Sequence, residues 1–135
     1  MGFFSDATVD ALLDLMFGSG HASGFPSSYD VALSTTQPTD NGSNVTEPAD
    51  TYVRQAVTNN TTNFPAASAR QKSNGTAIAF PQPMGAWGVV GYFAIYDHGT
   101  STFRGWGALG VALNITGSSL PPTFAPGQLV ITAPG

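Results

Sequence analysis

Cysteine is absent from the 135 residues, which excludes a disulfide framework, a thiolate metal site and a cysteine nucleophile. Charge is nearly as scarce. Only 9% of the residues are charged, Glu47 is the single glutamate, and the cations are Arg54, Arg70, Lys72 and Arg104. With a net charge of −4, and only Arg70 and Lys72 close together, the chain lacks the basic stripe that tracks phosphates, so no nucleic-acid partner is expected. No apolar run approaches the ~20 residues that cross a bilayer, so no membrane partner is expected either. The start, Met1 to Asp6, has no basic region, and Asp6, Asp10 and Asp14 interrupt the apolar residues up to Phe17; no signal peptide is expected.

What remains is sheet-forming and turn-forming material. There are 16 Gly and 10 Pro beside abundant Thr, Ser and Asn, and the 9 Phe, 4 Tyr and 2 Trp supply enough apolar area for a core. The length allows one domain, residues 1–135. Its fold class is expected to be mainly β, an antiparallel sandwich or jelly roll over 28–135 with one N-terminal α-helix over 5–18. For that helix, Ser5 is the N-cap, Asp6 complements the dipole, and Val9, Leu12, Leu13, Met16 and Phe17 recur at helical spacing before Gly18. Tyr29, Val31 and Leu33 alternate as a half-buried strand, and Tyr52, Arg54 and Val57 open another. Residues 77–80, 87–96, 103–109, 111–115 and 128–133 complete roughly seven strands, with a hairpin turn at Asp97-His98-Gly99-Thr100. The glycines of residues 85–110 allow bulges and close strand approach. Six Asn-x-Ser/Thr sequons, at Asn41, Asn44, Asn59, Asn60, Asn74 and Asn114, read as turn and strand-edge chemistry.

No pattern for chemistry stands out. His21 and His98 lie in a connector and a turn, with no spacing that makes a metal site. There is no Gly-x-Ser-x-Gly elbow, and Glu47 and Asp50 have no second acid in a glycosidase arrangement. The chain is therefore expected to be no enzyme, with no catalytic or metal residues and no cofactor. The candidates for partner contact are two. Asp6, Asp10 and Asp14 form one helix stripe, read as a solvated face or as a surface that docks on a basic partner. The segment 35–51, carrying Thr39, Asp40 and Glu47, is long for a loop, and such loops often carry contacts. Trp87, Tyr92 and Trp106 form either an aromatic contact surface, suited to sugar, or part of the core.

A series of segments carries a resemblance: Leu33-Ser34-Thr35-Thr36-Gln37-Pro38-Thr39-Asp40, Asn44-Val45-Thr46-Glu47-Pro48, Tyr52-Val53-Arg54, Lys72-Ser73-Asn74-Gly75, Phe93-Ala94-Ile95-Tyr96-Asp97 and Trp106-Gly107-Ala108-Leu109. In this order the chain resembles a family of small tailed-bacteriophage virion structural proteins, commonly labelled tail-fibre-like or minor structural proteins. The resemblance implies a non-catalytic part of the virion, assembled in the host cytoplasm. Its partners would be the major capsid protein or tail proteins, together with further copies of itself, a trimer being the expected homo-oligomer. The acidic balance and the lack of a long repetitive shaft favour capsid decoration on the outer shell, a minor capsid protein. The alternative is a tail or tail-fibre subunit with receptor (glycan) binding.

Overall fold

The computed structural model describes residues 4–18 and 20–133. It begins with α1, Asp6–Met16, where the Ser5 hydroxyl accepts the Thr8 N–H at 3.2 Å and Asp6 sits in the first turn. Val9 and Leu13 face inward, and the C-cap Phe17 packs on Tyr29 and Phe64 at ring-centroid distances of 4.8 and 5.1 Å. Gly18 leaves the helix at a φ of +116°, a conformation that side chains disfavour. The buried amide of Asn59 then closes the end: it accepts the Gly18 N–H at 2.7 Å and donates to the Met16 and Pro26 carbonyls.

Eight strands follow among the described residues: β1 Ser28–Ser34, β2 Gln55–Thr58, β3 Gln71–Ser73, β4 Ile78–Ala79, β5 Gly88–Asp97, β6 Phe103–Ile115, β7 Thr123–Phe124 and β8 Val130–Thr132. They form one four-stranded sheet, ordered β2-β1-β5-β6, and two ribbons, β3-β8 and β4-β7, all antiparallel. The fold is thus mainly β with one helix near the N-terminus, as the composition suggests. The second layer of the expected sandwich is built from two short ribbons and α1.

Between the layers lies the main core. Tyr29, Val31, Leu33, Val57, Val90, Phe93 and Ile95 come from the first face of the sheet, and Phe17, Phe64, Ile78, Phe80, Phe124 and Leu129 from the layer above. Asn74, 2% exposed, ties the ribbons together: its Oδ1 accepts the Leu129 N–H at 2.9 Å and its Nδ2 donates to the Thr76 and Ala125 carbonyls. Asn59 and Asn74, read as sequons of structural use, are therefore both interior residues with saturated amides.

Three expectations need correction. β1 is buried on both faces, not one, because residues 35–51 fold back across its second face, over Ala32, Ala94 and Tyr96. Its polar residues there are satisfied: Asp30 accepts from His98 and from the Gly99 N–H, and the Ser34 hydroxyl donates to the Thr36 carbonyl. The two expected return strands are one strand, β6, interrupted by a bulge. Residues 71–73 and 123–124, outside the expected strands, are ribbon strands, paired with β8 and β4 respectively.

Candidate functional site

The second face of the sheet carries a cluster of polar and aromatic side chains. Arg54, just before β2, crosses the face and holds Glu47 of the returning loop in a two-point ion pair, Nε–Oε1 2.8 Å and Nη2–Oε2 2.9 Å. Its guanidinium lies 4.0 Å from the centre of the Tyr96 ring, a cation–π contact. The Tyr52 hydroxyl donates to the same Glu47 oxygen at 2.7 Å and accepts the Leu33 N–H at 3.0 Å. Burial pushes the Glu47 carboxyl up, but hydrogen bonds from Arg54 and Tyr52 outweigh it and the net shift is downward. Burial and the Glu47 carboxylate push the Tyr52 phenol well above its ordinary value. These groups are fixed in one protonation state near neutrality, which suits a clamp and not proton transfer.

Further along the same face, Tyr92 and Trp106 stand edge to face at 6.1 Å, both half-buried, and the Trp106 indole N–H donates to Asp40 at 3.3 Å. Gly42 is pressed against Phe103, where a Cβ would come within 2.7 Å of the ring, so the loop tip lies flat on β6. An open cleft of about 630 Å³ runs along the start of β6, lined by Asp40, Arg104 and Trp106 and by Met16, Phe17 and Ile131. Thr39 is spent within its own turn, on Asn41 and Ser43. Of the expected aromatic surface, Trp87 does not belong: it is 4% exposed and packs in the main core against Tyr52 at 5.5 Å. Burial of its apolar body decides this, although its indole N–H finds no partner among the described residues.

The acidic stripe of α1 is paired within the chain, although Asp6 remains 71% and Asp14 45% exposed. Asp10 accepts the Arg70 N–H at 2.8 Å, Asp14 accepts the Ala67 N–H at 2.9 Å and the Lys72 ammonium at 2.6 Å, and Asp6 meets the Arg70 guanidinium at 3.0 Å. The basic surface that the stripe faces lies on residues 67–72 of the same chain. α1 and β3 are more than fifty residues apart, so the match of three spaced acids with Arg70 and Lys72 is the one hint of this pairing that the sequence carries.

Each of the four cations thus meets a carboxylate of its own chain, Arg104 pairing with Asp97 at 2.7 and 2.8 Å. No group of three or more metal-ligating side chains occurs among the described residues. No described helix is long and apolar enough to cross a membrane. The arrangement defines a mainly β domain whose ionic groups lock its own loops and helix in place, with a small aromatic surface left open.

Comparison with known proteins names the family. Residues 3–132 match the family described as podophage GP4 fiber I protein gp80, and the chain belongs to it: a phage structural protein of fibre type. A virion location fits that family. No curated protein matches the chain.

Proposed function

We infer that the protein is a subunit of a podophage tail fibre, structural and without a catalytic task. Membership of the fibre family over residues 3–132 is the observation that carries this reading, and it favours the tail-fibre alternative over capsid decoration. The geometry supports it physically. A fibre subunit must keep its shape under mechanical load, and here the long loop, the helix and the ribbons are each pinned by a buried or half-buried polar anchor: Glu47, Asp14 and Asn74.

The Tyr92–Trp106–Asp40 cluster supports a second element of the reading, contact with a glycan on the host surface. A half-exposed aromatic pair with a carboxylate beside it offers a stacking face and a hydrogen-bond acceptor to a sugar ring.

The experiment is quantitative mass spectrometry of purified virions separated into tail-bearing and tailless fractions. A tail-fibre subunit is expected in the tail fraction, at a small multiple of the tail's symmetry number. A copy number matching the shell would return the capsid-decoration reading, and absence from both fractions would remove the virion role.

A further inference from the structure

Two asparagines of the chain are followed by glycine, Asn41-Gly42 and Asn74-Gly75. Such a pair is open to ring closure, because glycine puts no side chain between its own backbone nitrogen and the neighbouring side-chain carbonyl carbon. The fold treats the two pairs in opposite ways. Asn74 is 2% exposed, its Nδ2 donates to the Thr76 and Ala125 carbonyls, and its Oδ1 accepts the Leu129 N–H at 2.9 Å. The Gly75 N–H donates to the Asn63 carbonyl at 2.7 Å, and Gly75 is wedged between the Thr62 carbonyl and the Pro65 ring. Its nitrogen reaches the Asn74 side chain only if this part of the core opens.

Asn41 lies exposed at the tip of the returning loop. Its Oδ1 accepts the Thr39 hydroxyl at 2.6 Å and the Ser43 N–H at 3.1 Å, while its Nδ2 has no partner among the described residues. Two donors on the carbonyl oxygen stabilise the negative charge that collects there when a nucleophile adds to the carbon. The unheld Nδ2 is the group that has to leave. Gly42 stands at a φ of +83°, and its N–H is tied by one turn bond, to the Thr39 carbonyl at 2.9 Å, among residues 39–41 that are all exposed.

We propose that Asn41 is a self-modification site, where the Gly42 nitrogen closes on the Asn41 side chain and the loop tip ages from amide to acid. The Gly42 nitrogen gives up its proton and bonds to Cγ, the Cγ–Nδ2 bond breaks, and ammonia leaves with the proton. Water, the one co-reactant, then opens the succinimide at either of its carbonyls to give aspartate or isoaspartate at position 41. Either product adds a negative charge beside Asp40 to a chain that already bears −4. Isoaspartate also lengthens the backbone by one carbon where there is no slack, since a Cβ on Gly42 would come within 2.7 Å of the Phe103 ring. The 3.3 Å contact of Asp40 with the Trp106 indole depends on that seating, so the modification loosens the open aromatic cluster. This chemistry goes beyond the fibre reading and does not rest on it.

The test is ageing of the full chain in mildly alkaline buffer, followed by trypsin digestion and mass spectrometry with fragmentation to place each new acid. Cleavage falls after Arg54, Arg70, Lys72 and Arg104, so Asn41 and Asn74 lie in different peptides. In the folded chain position 41 should turn acidic at least about tenfold faster than position 74. In denaturant the two positions should react at similar rates, because only the fold separates them. Asn41→Gln, whose longer side chain closes a ring poorly, should keep its amide and its tryptophan emission on ageing, while aged wild type shifts in emission. Circular dichroism before and after ageing confirms that the folded rates come from folded protein. Equal rates at the two positions in the folded chain, a position 41 that stays an amide, or an emission unchanged after position 41 has reacted would each overturn the inference.

Discussion

Arg54 grips both carboxylate oxygens of Glu47, at 2.8 and 2.9 Å, while its guanidinium plane covers Tyr96. This one contact joins the approach to β2, the end of β5 and the returning loop. Only a planar fork can satisfy two oxygens and an aromatic face together, so lysine is no substitute. Arg54→Lys is expected to lower stability by about 1–2 kcal/mol and to expose residues 35–51 to protease. Denaturant titration and limited proteolysis check this; an unchanged cleavage pattern would count against the clamp.

Lys72 offers a cleaner measure of a buried charge. Its side chain is 1% exposed and its ammonium meets Asp14 at 2.6 Å, while Asp14 itself is 45% exposed. Asp14→Ala leaves the ammonium in the interior without this partner and is expected to cost about 2–4 kcal/mol, the lower end reflecting Asp14's contact with water. Adding Lys72→Met should recover most of the loss, since an apolar side chain of similar length needs no partner there. A double variant no more stable than Asp14→Ala would show that the ion pair is not the source of the effect.

Stability should form a plateau in pH with two shoulders. For Asp14, burial pushes the carboxyl up, but the Lys72 and Ala67 hydrogen bonds outweigh it, so it lies below its ordinary 3.8; Glu47 likewise lies below its ordinary 4.5. Groups depressed on folding contribute stability above their unfolded values and lose it as pH falls through the folded ones. Tyr29 and Tyr52 are shifted the other way, chiefly by burial, so the neutral phenol is favoured and stability is lost as pH rises past their ordinary 10.0. Thermal midpoints by circular dichroism should therefore fall below about pH 4 and above about pH 10. A midpoint that climbs as pH drops from 5 to 3 would refute the acid side.

Local signals were legible and long-range closures were not. Ser5, Asp6 and the spacing of Val9 and Leu13 announce α1, and the run from Val89 to Tyr96 announces β5, because capping and side-chain alternation act within a few residues. The two-sided burial of β1 depends on a loop that comes back from Thr46 to Thr35, which no local pattern encodes. Of the ribbons β3-β8 and β4-β7, the strands β4 and β8 fall in expected strand segments; their partners β3 and β7, two or three residues long, exist because Asn74 and the core of Phe80 and Phe124 hold them, so strand propensity alone could not reveal those. At the candidate site, Tyr92 and Trp106 were recognisable as residue types. Their separation from Trp87 was not, because the bulge between Val90 and Tyr92 sets which aromatic faces inward.

Trp106 is where structural and recognition roles can be separated. Its ring packs edge-on against Tyr92 and reaches Asp40, yet it belongs to neither buried cluster, and the core on the other side of the sheet is closed beneath it by Phe93 against Gly107. Truncation should therefore cost only about 1 kcal/mol, the worth of one aromatic contact on a half-exposed face. If the cluster contacts host glycan, Trp106→Ala should abolish binding of the purified protein to envelope polysaccharide of the host while its thermal midpoint moves by a few degrees. Tyr92→Phe, which keeps the ring, should retain binding. Wild-type binding by Trp106→Ala would leave the aromatic pair as packing for the loop tip and remove the glycan element of the function.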